Sequence, residues 1–532
     1  VAALAGLVLL LSAASPAAEP AISSITLRRS NIFDPSIPAE SSWPYRLANS
    51  LHFITQEAFI RRELLFREGD PCDPVVLQES ERKLRATGLM NPIEITAVPL
   101  PDGTCAVEVF TRDSWTTKPG IDFATYGGEL TYSIDLEESN FLGWGTEVRL
   151  SYEKDVDTRK FLVDYKDPQF LGRSWDAEAG MWDTDEGNGF VLRLRQPFDA
   201  FTVPIAFEGL IRQDEMGETL YWEGERALRF VNAHKIRRFS YGEKVWERGD
   251  RLLRLTGGFT WENQEFENLE TLEPGHPFTP SEPVELTVLW ARAEFLRIRY
   301  LKTKGIFGWT SDEDILLGPL LRVEAGRSLE LLGGDPATLL SCLYQDAAAK
   351  GPWLWQRRLG GSLNRIDQGW RNNEFFLDSN LFLRTSDRSN LVLALSLDGY
   401  DAPDLLGVVY LGAEDGQRGY DYRAEAGSRR LRATLQEKMM LFENVLSLGN
   451  LGVAAFYDGG QVWGWGVHFA QAKWLHSAGV GLRFENLRSK VGRVARLDFG
   501  YAVSGEEQGW QITFASGDWF AFSPWGHFTD GY

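Results

Sequence analysis

The chain has 532 residues and a formal charge of −20, enough for one very large domain or two. The acidic balance argues against a nucleic-acid partner, which favours a basic footprint. Aromatic residues make up 13% of the chain and include 19 Trp, yet beyond residue 18 no stretch approaches the roughly 20 apolar residues of a membrane helix.

Residues 1–18 read as a secretory signal peptide. AALAGLVLLLSAASPAA is an apolar core with a small-residue exit and lacks only the basic start. Residues 19–118 are a different material from the rest. A short strand is predicted over 22–27, and the turn-rich stretch 31–44 reads as a loop. Residues 47–66 are rich in helix formers, and Gly69-Asp70-Pro71 stops them. Asp73-Pro74 starts a second helix, in which Val76, Leu77, Ser80, Leu84 and Gly88 form one apolar or small stripe at helical spacing. Gly88 suits its C-terminal cap. Strands over 92–98 and 105–111 follow, joined by the hairpin turn Pro101-Asp102-Gly103. The order β-α-α-β-β implies a compact α+β module with two helices on one face of a sheet.

The three cysteines are Cys72, Cys105 and Cys342. So few indicate neither a disulfide scaffold nor a metal site. Cys72 and Cys105 fall in the small module, where an oxidising compartment would let them bridge; the alternative is two free, small hydrophobes.

From about Tyr126 the period changes to two. Leu130, Tyr132, Ile134 and Leu136 alternate with Glu129, Thr131, Ser133 and Asp135. Leu391, Leu393, Leu395 and Leu397 alternate with Val392, Ala394, Ser396 and Asp398. Ala495, Leu497, Phe499 and Tyr501 alternate with Arg496, Asp498 and Gly500, and Trp510, Ile512 and Phe514 with Gln511 and Thr513. A soluble sandwich also alternates. Three features favour a membrane barrel: an apolar face rich in Leu and aromatics, segments able to reach roughly 9–11 residues, and connections that alternate between short turns such as 140–145 and long polar stretches such as 262–283. At roughly 25 residues per strand plus connection, residues 119–532 predict a mainly β fold of about 16 antiparallel transmembrane strands.

Several local motifs occur in order. Ile60-Arg61-Arg62-Glu63-Leu64-Leu65-Phe66 and Gly69-Asp70 lie in the module. Asn140-Phe141-Leu142-Gly143-Trp144-Gly145 opens the barrel. Arg418-Gly419-Tyr420 sits in a long connection, and Phe456-Tyr457-Asp458-Gly459-Gly460-Gln461-Val462-Trp463 follows on a strand. In this order the motifs resemble the bacterial surface-antigen superfamily: the barrel-assembly proteins of the BamA and TamA type and their two-partner-secretion relatives. The resemblance implies a periplasmic POTRA-like domain ahead of an outer-membrane barrel. Only one such module is found here, where the main assembly factors carry several. The family ends on an aromatic that closes the last strand; here Phe520 and Phe522 are followed by SPWGHFTDGY.

Arg418, Gly419 and Tyr420 are then expected at the tip of a loop, near 412–428, that folds into the lumen. Asp458 and Gly460 are the expected partners on the wall. A guanidinium meets a carboxylate bidentately, and Gly lets the backbone turn sharply and approach the wall. Asp458 shares its face with Phe456, while Val453, Ala455 and Tyr457 take the other. If the apolar face meets lipid, Asp458 points inward. Lumen water is expected to screen the pair, leaving it to position the loop rather than stabilise it. Glu437 is a second candidate lumen charge by position, although it shares a face with Leu431, Ala433 and Leu435.

No G-x-S-x-G, H-E-x-x-H or P-loop occurs, and the six His, scattered at 52, 234, 276, 468, 476 and 527, read as exposed or loop residues. No catalytic residue, metal or cofactor is assigned. The resemblance implies polypeptide insertion or translocation through a lateral seam between a first strand near 129–136 and a last near 510–514. The partners implied are outer-membrane lipid, an unfolded client or secreted protein, and a periplasmic or inner-membrane accessory protein. The alternative is a passive channel, or a structural or lipid-handling barrel.

Overall fold

The computed structural model describes residues 20–516, apart from 127–128, 155–156, 368, 414, 489–493 and 505–508. The segment 1–18, read above as a signal peptide, and the tail with Phe520 and Phe522 lie outside the described residues.

The N-terminal module contains β1 (Ile22–Ser30), α1 (Trp43–Leu51), α2 (Glu57–Glu63), α3 (Pro74–Ala86), β2 (Met90–Pro99) and β3 (Cys105–Asp113). Its sheet order is β1-β3-β2, with β1 parallel and β2 antiparallel to β3. Asp73 caps α3 by accepting from the Val75 N–H, Pro74 sits at its start, and Gly88 follows its end at φ +69°. Leu77, Ser80 and Leu84 are buried as the helical stripe predicts, against Phe59, Ile60, Val107 and Val109. Cys72 and Cys105 are joined by a disulfide beside this core.

The single helix expected over 47–66 is instead two. Residues 52–56 are extended because Asp113, on β3, draws them in: its carboxylate accepts from Thr55 N–H (2.6 Å) and Thr55 Oγ1 (2.9 Å) and lies 2.9 Å from His52 Nε2. The His52 side chain is therefore enclosed, 2% exposed. Helix α1 also starts inside the stretch read as a loop, at Trp43 after Ser42, with Pro44 in its first turn.

Among the described residues, twenty strands follow one another round a closed antiparallel barrel, with the two-residue segment Gly369–Trp370 in the connection between Trp353–Ile366 and Asn373–Ser386. About sixteen were expected. The excess arises because most connections are shorter than the spacing assumed. Strands also reach further: the stretch 262–283 is strand as far as Thr271, leaving 272–283 as the loop. The first barrel strand is β4 (Thr117–Tyr126), ahead of Glu129–Phe141, and the last described is Trp510–Ser516. Pro119 and Gly120 disguised β4 in the sequence.

The barrel wall is inside-out for a protein in water. Ile134, Leu136, Leu393, Leu395, Val480 and Leu482 are exposed on the outer face. Asn380, Ser396, Gln436, Arg483 and Asp498 are buried on the inner one. An outer apolar band of this extent is what a lipid-solvated barrel presents. No helix among the described residues is long and apolar enough to cross a membrane.

Candidate functional site

Connections alternate between two ends of the barrel. The N-terminal module sits at one, hereafter the near end. From the far end, residues 402–428 fold inward as a loop carrying a small hairpin, Val409–Leu411 with Glu425–Gly427. Its tip meets the inner faces of strands Arg429–Val445, Gly449–Trp463, Leu475–Asn486 and Val494–Ala502.

The structure brings Arg418 and Asp458 together. Arg418 Nε and Nη2 donate to the two Asp458 carboxylate oxygens at 2.7 and 2.8 Å. Thr434 Oγ1 adds a bond to the same carboxylate at 2.7 Å. Even-numbered residues of Gly449–Trp463 face inward, so the alternation places Asp458 where the sequence predicts. The guanidinium also lies 3.4 Å from the centroid of the Phe456 ring. Both charged side chains are 1% exposed. The expectation of a pair screened by lumen water is thus corrected: loop, ring and wall exclude solvent from it.

The pair is one corner of a larger network that the sequence reading did not assign. Arg418 Nη1 donates to Gln436 Oε1 at 2.9 Å and lies 3.4 Å from Asp498 Oδ2. Asp498 also accepts from Arg483 at 2.5 Å and Arg496 at 3.2 Å, and Arg483 reaches back to Gln436 at 3.1 Å. Nearer the far end, Arg430 bridges loop residue Asp415 (2.9 Å) and wall residue Asp398 (3.0 Å).

Gly419 explains the approach of loop to wall. It adopts φ +95°, and a Cβ there would stand 3.1 Å from the backbone of residues 500–502. Gly500 answers it: a Cβ on Gly500 would lie 2.8 Å from the Gly419 nitrogen. Tyr420 is buried, and its hydroxyl donates to Ser504 O (2.6 Å) and accepts from the His476 N–H (3.0 Å). Gly460 leaves room for Leu411 and Gln417 of the loop. Glu437 does not join the site. It lies on the outer face near the turn between Asn373–Ser386 and Ser389–Asp401, where Ser389 and Thr385 (2.9 Å) donate to it. Its parity with Leu435 and Met439 decides its direction.

A second inward segment comes from the near end and was not foreseen. Residues 298–319 carry a hairpin, Tyr300–Thr303 with Glu313–Leu316, whose tip enters the barrel. Glu313 gathers the tip by accepting from the N–H groups of Ile306, Phe307 and Gly308 at 2.7–3.0 Å. The wall holds it through Lys438 Nζ, which donates to Ile306 O (2.8 Å) and Phe307 O, and through Glu485, which accepts from Ser311 Oγ (2.8 Å) and the Thr310 N–H. Trp309 is buried where Gly452 leaves space for its ring. Its signal in the sequence is the run Ile306-Phe307-Gly308-Trp309, too apolar for a solvated turn.

The module is bonded to this hairpin and to the near-end turns. Arg85 on α3 clasps Asp314 at 2.9 and 3.0 Å, and Lys302 reaches Glu81 at 2.9 Å. Lys83 pairs with Glu63 and with Asp199 of the barrel, each at 3.1 Å. Burial alone would lower the Lys83 and Arg85 pKa values, but these carboxylates more than offset it and the net shift is upward, so both stay charged. The motif at 140–145 makes a docking turn: Gly143 O accepts from the Gln56 N–H at 2.8 Å, and Gly145, at φ +69°, faces the Phe59 ring.

No family model matches the sequence, and no curated protein does. Among solved structures, BamA from Haemophilus ducreyi lacking POTRA domains 1–3 is similar at 12% identity and TM-score 0.40, over 93% of this chain and 84% of that one. CdiB from Escherichia coli is similar at 14% identity and TM-score 0.47, over 93% and 75%. CdiB from Acinetobacter baumannii is similar at 10% identity and TM-score 0.44, over 93% and 73%. Identities and TM-scores this low carry no argument about function.

Proposed function

We propose that this chain is an outer-membrane barrel that inserts or translocates polypeptides, with residues 402–428 as an inward lid and the N-terminal module as a POTRA-like periplasmic domain. The observation that carries the reading is the buried bidentate pair Arg418–Asp458 at the tip of an inward loop. The bonds formed and broken are non-covalent, and the site residues hold and position rather than react.

Two edges suit an extended client. Within the module, β1 and β2 lie at the edges of the three-stranded sheet. In the barrel, the last described strand, Trp510–Ser516, meets the first, β4. We infer that the ring opens at this seam between the first and last described strands, and that an incoming strand would add there.

Depletion of the protein is expected to lower at least one protein in the outer membrane or the medium, and a chain carrying Asp458→Ala is expected to restore it less well than wild type. An unchanged outer-membrane and secreted proteome on depletion would overturn the reading.

A further inference from the structure

Helix α1 presents its apolar side away from the protein. Trp43, Leu47 and Leu51 recur at every fourth position and form one stripe, exposed by 68%, 48% and 63%. Phe53 and Ile54 extend it, and no residue of the helix is buried. The opposite side holds the chain in place. Asn49 accepts from the Phe33 N–H (3.1 Å) and donates to Phe33 O (2.8 Å), and Tyr45 donates to Leu446 O at 2.6 Å. The helix, WPYRLANSL, contains one Arg and no acidic residue.

Its neighbours indicate what covers the stripe. Tyr45 and Gln56 tie this segment to near-end turns that expose Leu142, Trp144, Leu446 and Leu448. From those turns the outer wall continues upward through Leu136 and Ile134 on one strand, and through Leu441, Met439 and Leu435 on another. The stripe is therefore continuous with the barrel's outer apolar band. A Trp at its end and a lack of negative charge suit the boundary between headgroups and acyl chains.

We propose that α1 is an interfacial anchor whose Trp43–Leu47–Leu51 face lies in the near leaflet of the bilayer, its occupant being phospholipid. It pins the module to the membrane surface beside the turns of strands close to the seam. The inference rests on the membrane reading of the barrel, and the test separates the two.

The full chain, with Cys342→Ser and its disulfide intact, would carry one environment-sensitive label at Leu47→Cys, at Leu393→Cys on the outer wall, or at Asp102→Cys on the exposed module hairpin. Each is reconstituted in phosphatidylethanolamine–phosphatidylglycerol vesicles with and without doxyl-labelled lipid. Doxyl lipid is expected to quench the labels at 47 and 393 about threefold or more beyond the label at 102, and iodide to do the reverse. Quenching at 393 but iodide access at 47 would overturn the anchor and leave the membrane reading standing. Doxyl quenching at neither would overturn both. A label at 47 shielded from both quenchers in proportion to protein concentration would assign the face to a second copy and also overturn the proposal. Leu47→Glu with Leu51→Glu is expected to abolish doxyl quenching of a label at Trp43→Cys while leaving that at 393 unchanged; persistence at 43 would overturn the proposal.

Discussion

Replacing Asp458 by alanine removes one carboxylate from a cluster in which three guanidiniums, Arg418, Arg483 and Arg496, meet two carboxylates, Asp458 and Asp498. Because the pair is 1% exposed, breaking it belongs with buried pairs, at about 3–5 kcal/mol, rather than with surface pairs at about 1 or less. The two single substitutions are not equivalent. Arg418→Ala leaves two charges of each sign, with Asp458 still bonded to Thr434. Asp458→Ala leaves three guanidiniums on one carboxylate. It should therefore be the harsher change, by about 1 kcal/mol or more. The double mutant keeps the wild-type charge balance, so its cost should fall short of the summed singles by about 2 kcal/mol or more. Amide hydrogen exchange over residues 412–428 in lipid reads this as the free energy of loop opening, a loss of about 3 kcal/mol being roughly a hundredfold faster exchange. Unchanged exchange in both singles, or strictly additive singles, would refute the pairing as the loop's tether.

Two further substitutions probe the packing around it. Gly500→Ala places a methyl 2.8 Å from the Gly419 nitrogen and should raise exchange over 412–428, costing about 1–3 kcal/mol, whereas Gly509→Ala, with nothing within 4 Å, should not. Arg85→Ala and Asp314→Ala should each free the hairpin at 300–316 to faster exchange, and the double mutant should be little worse than either; additive effects would show that the two residues hold the hairpin separately.

Alternation carried most of what the sequence could reveal. Period two gave the direction of Asp458, and the same parity put Glu437 outside, against its assignment by position. In residues 19–118 the three strands and α3 were legible, α3 because it has a cap, a stripe and a stop of its own, but the helix ahead of it was not, being two. What escaped were relations between distant segments. Arg496, Asp498 and Gly500 were visible as one polar face, but nothing local tells a lumen charge that meets a loop from one that meets water. The break at 52–56 escaped because its cause, Asp113, is some sixty residues away in sequence. The strand count erred because one average spacing was applied to connections as different as 387–388 and 402–428.

The two inward segments come from opposite ends yet are registered on one wall. Along strand Arg429–Val445 the inward residues are shared out in order: Arg430 to loop residue Asp415, Gln436 to Arg418, then Lys438 to hairpin residues Ile306 and Phe307. Gln436 and Lys438 are one two-residue step apart, about 7 Å. On the next strand but one, Arg483 serves the loop network and Glu485 the hairpin, again two residues apart. A chain of contacts therefore runs from Arg85 on the module through the hairpin to the wall that fixes Arg418. Contact alone is not coupling; coupling requires that a segment have a second arrangement which both ends bias. Release at either end would carry an apolar cost as well as a polar one: Leu411 and Tyr420 of the loop pack on Val462, Leu475 and Ala502, and Ile306 and Phe307 of the hairpin on Leu354, Phe382 and Val392. Charge pairs and backbone bonds can be exchanged for water, but these apolar contacts would have to be exposed, so each segment's hold on the wall combines both kinds of interaction.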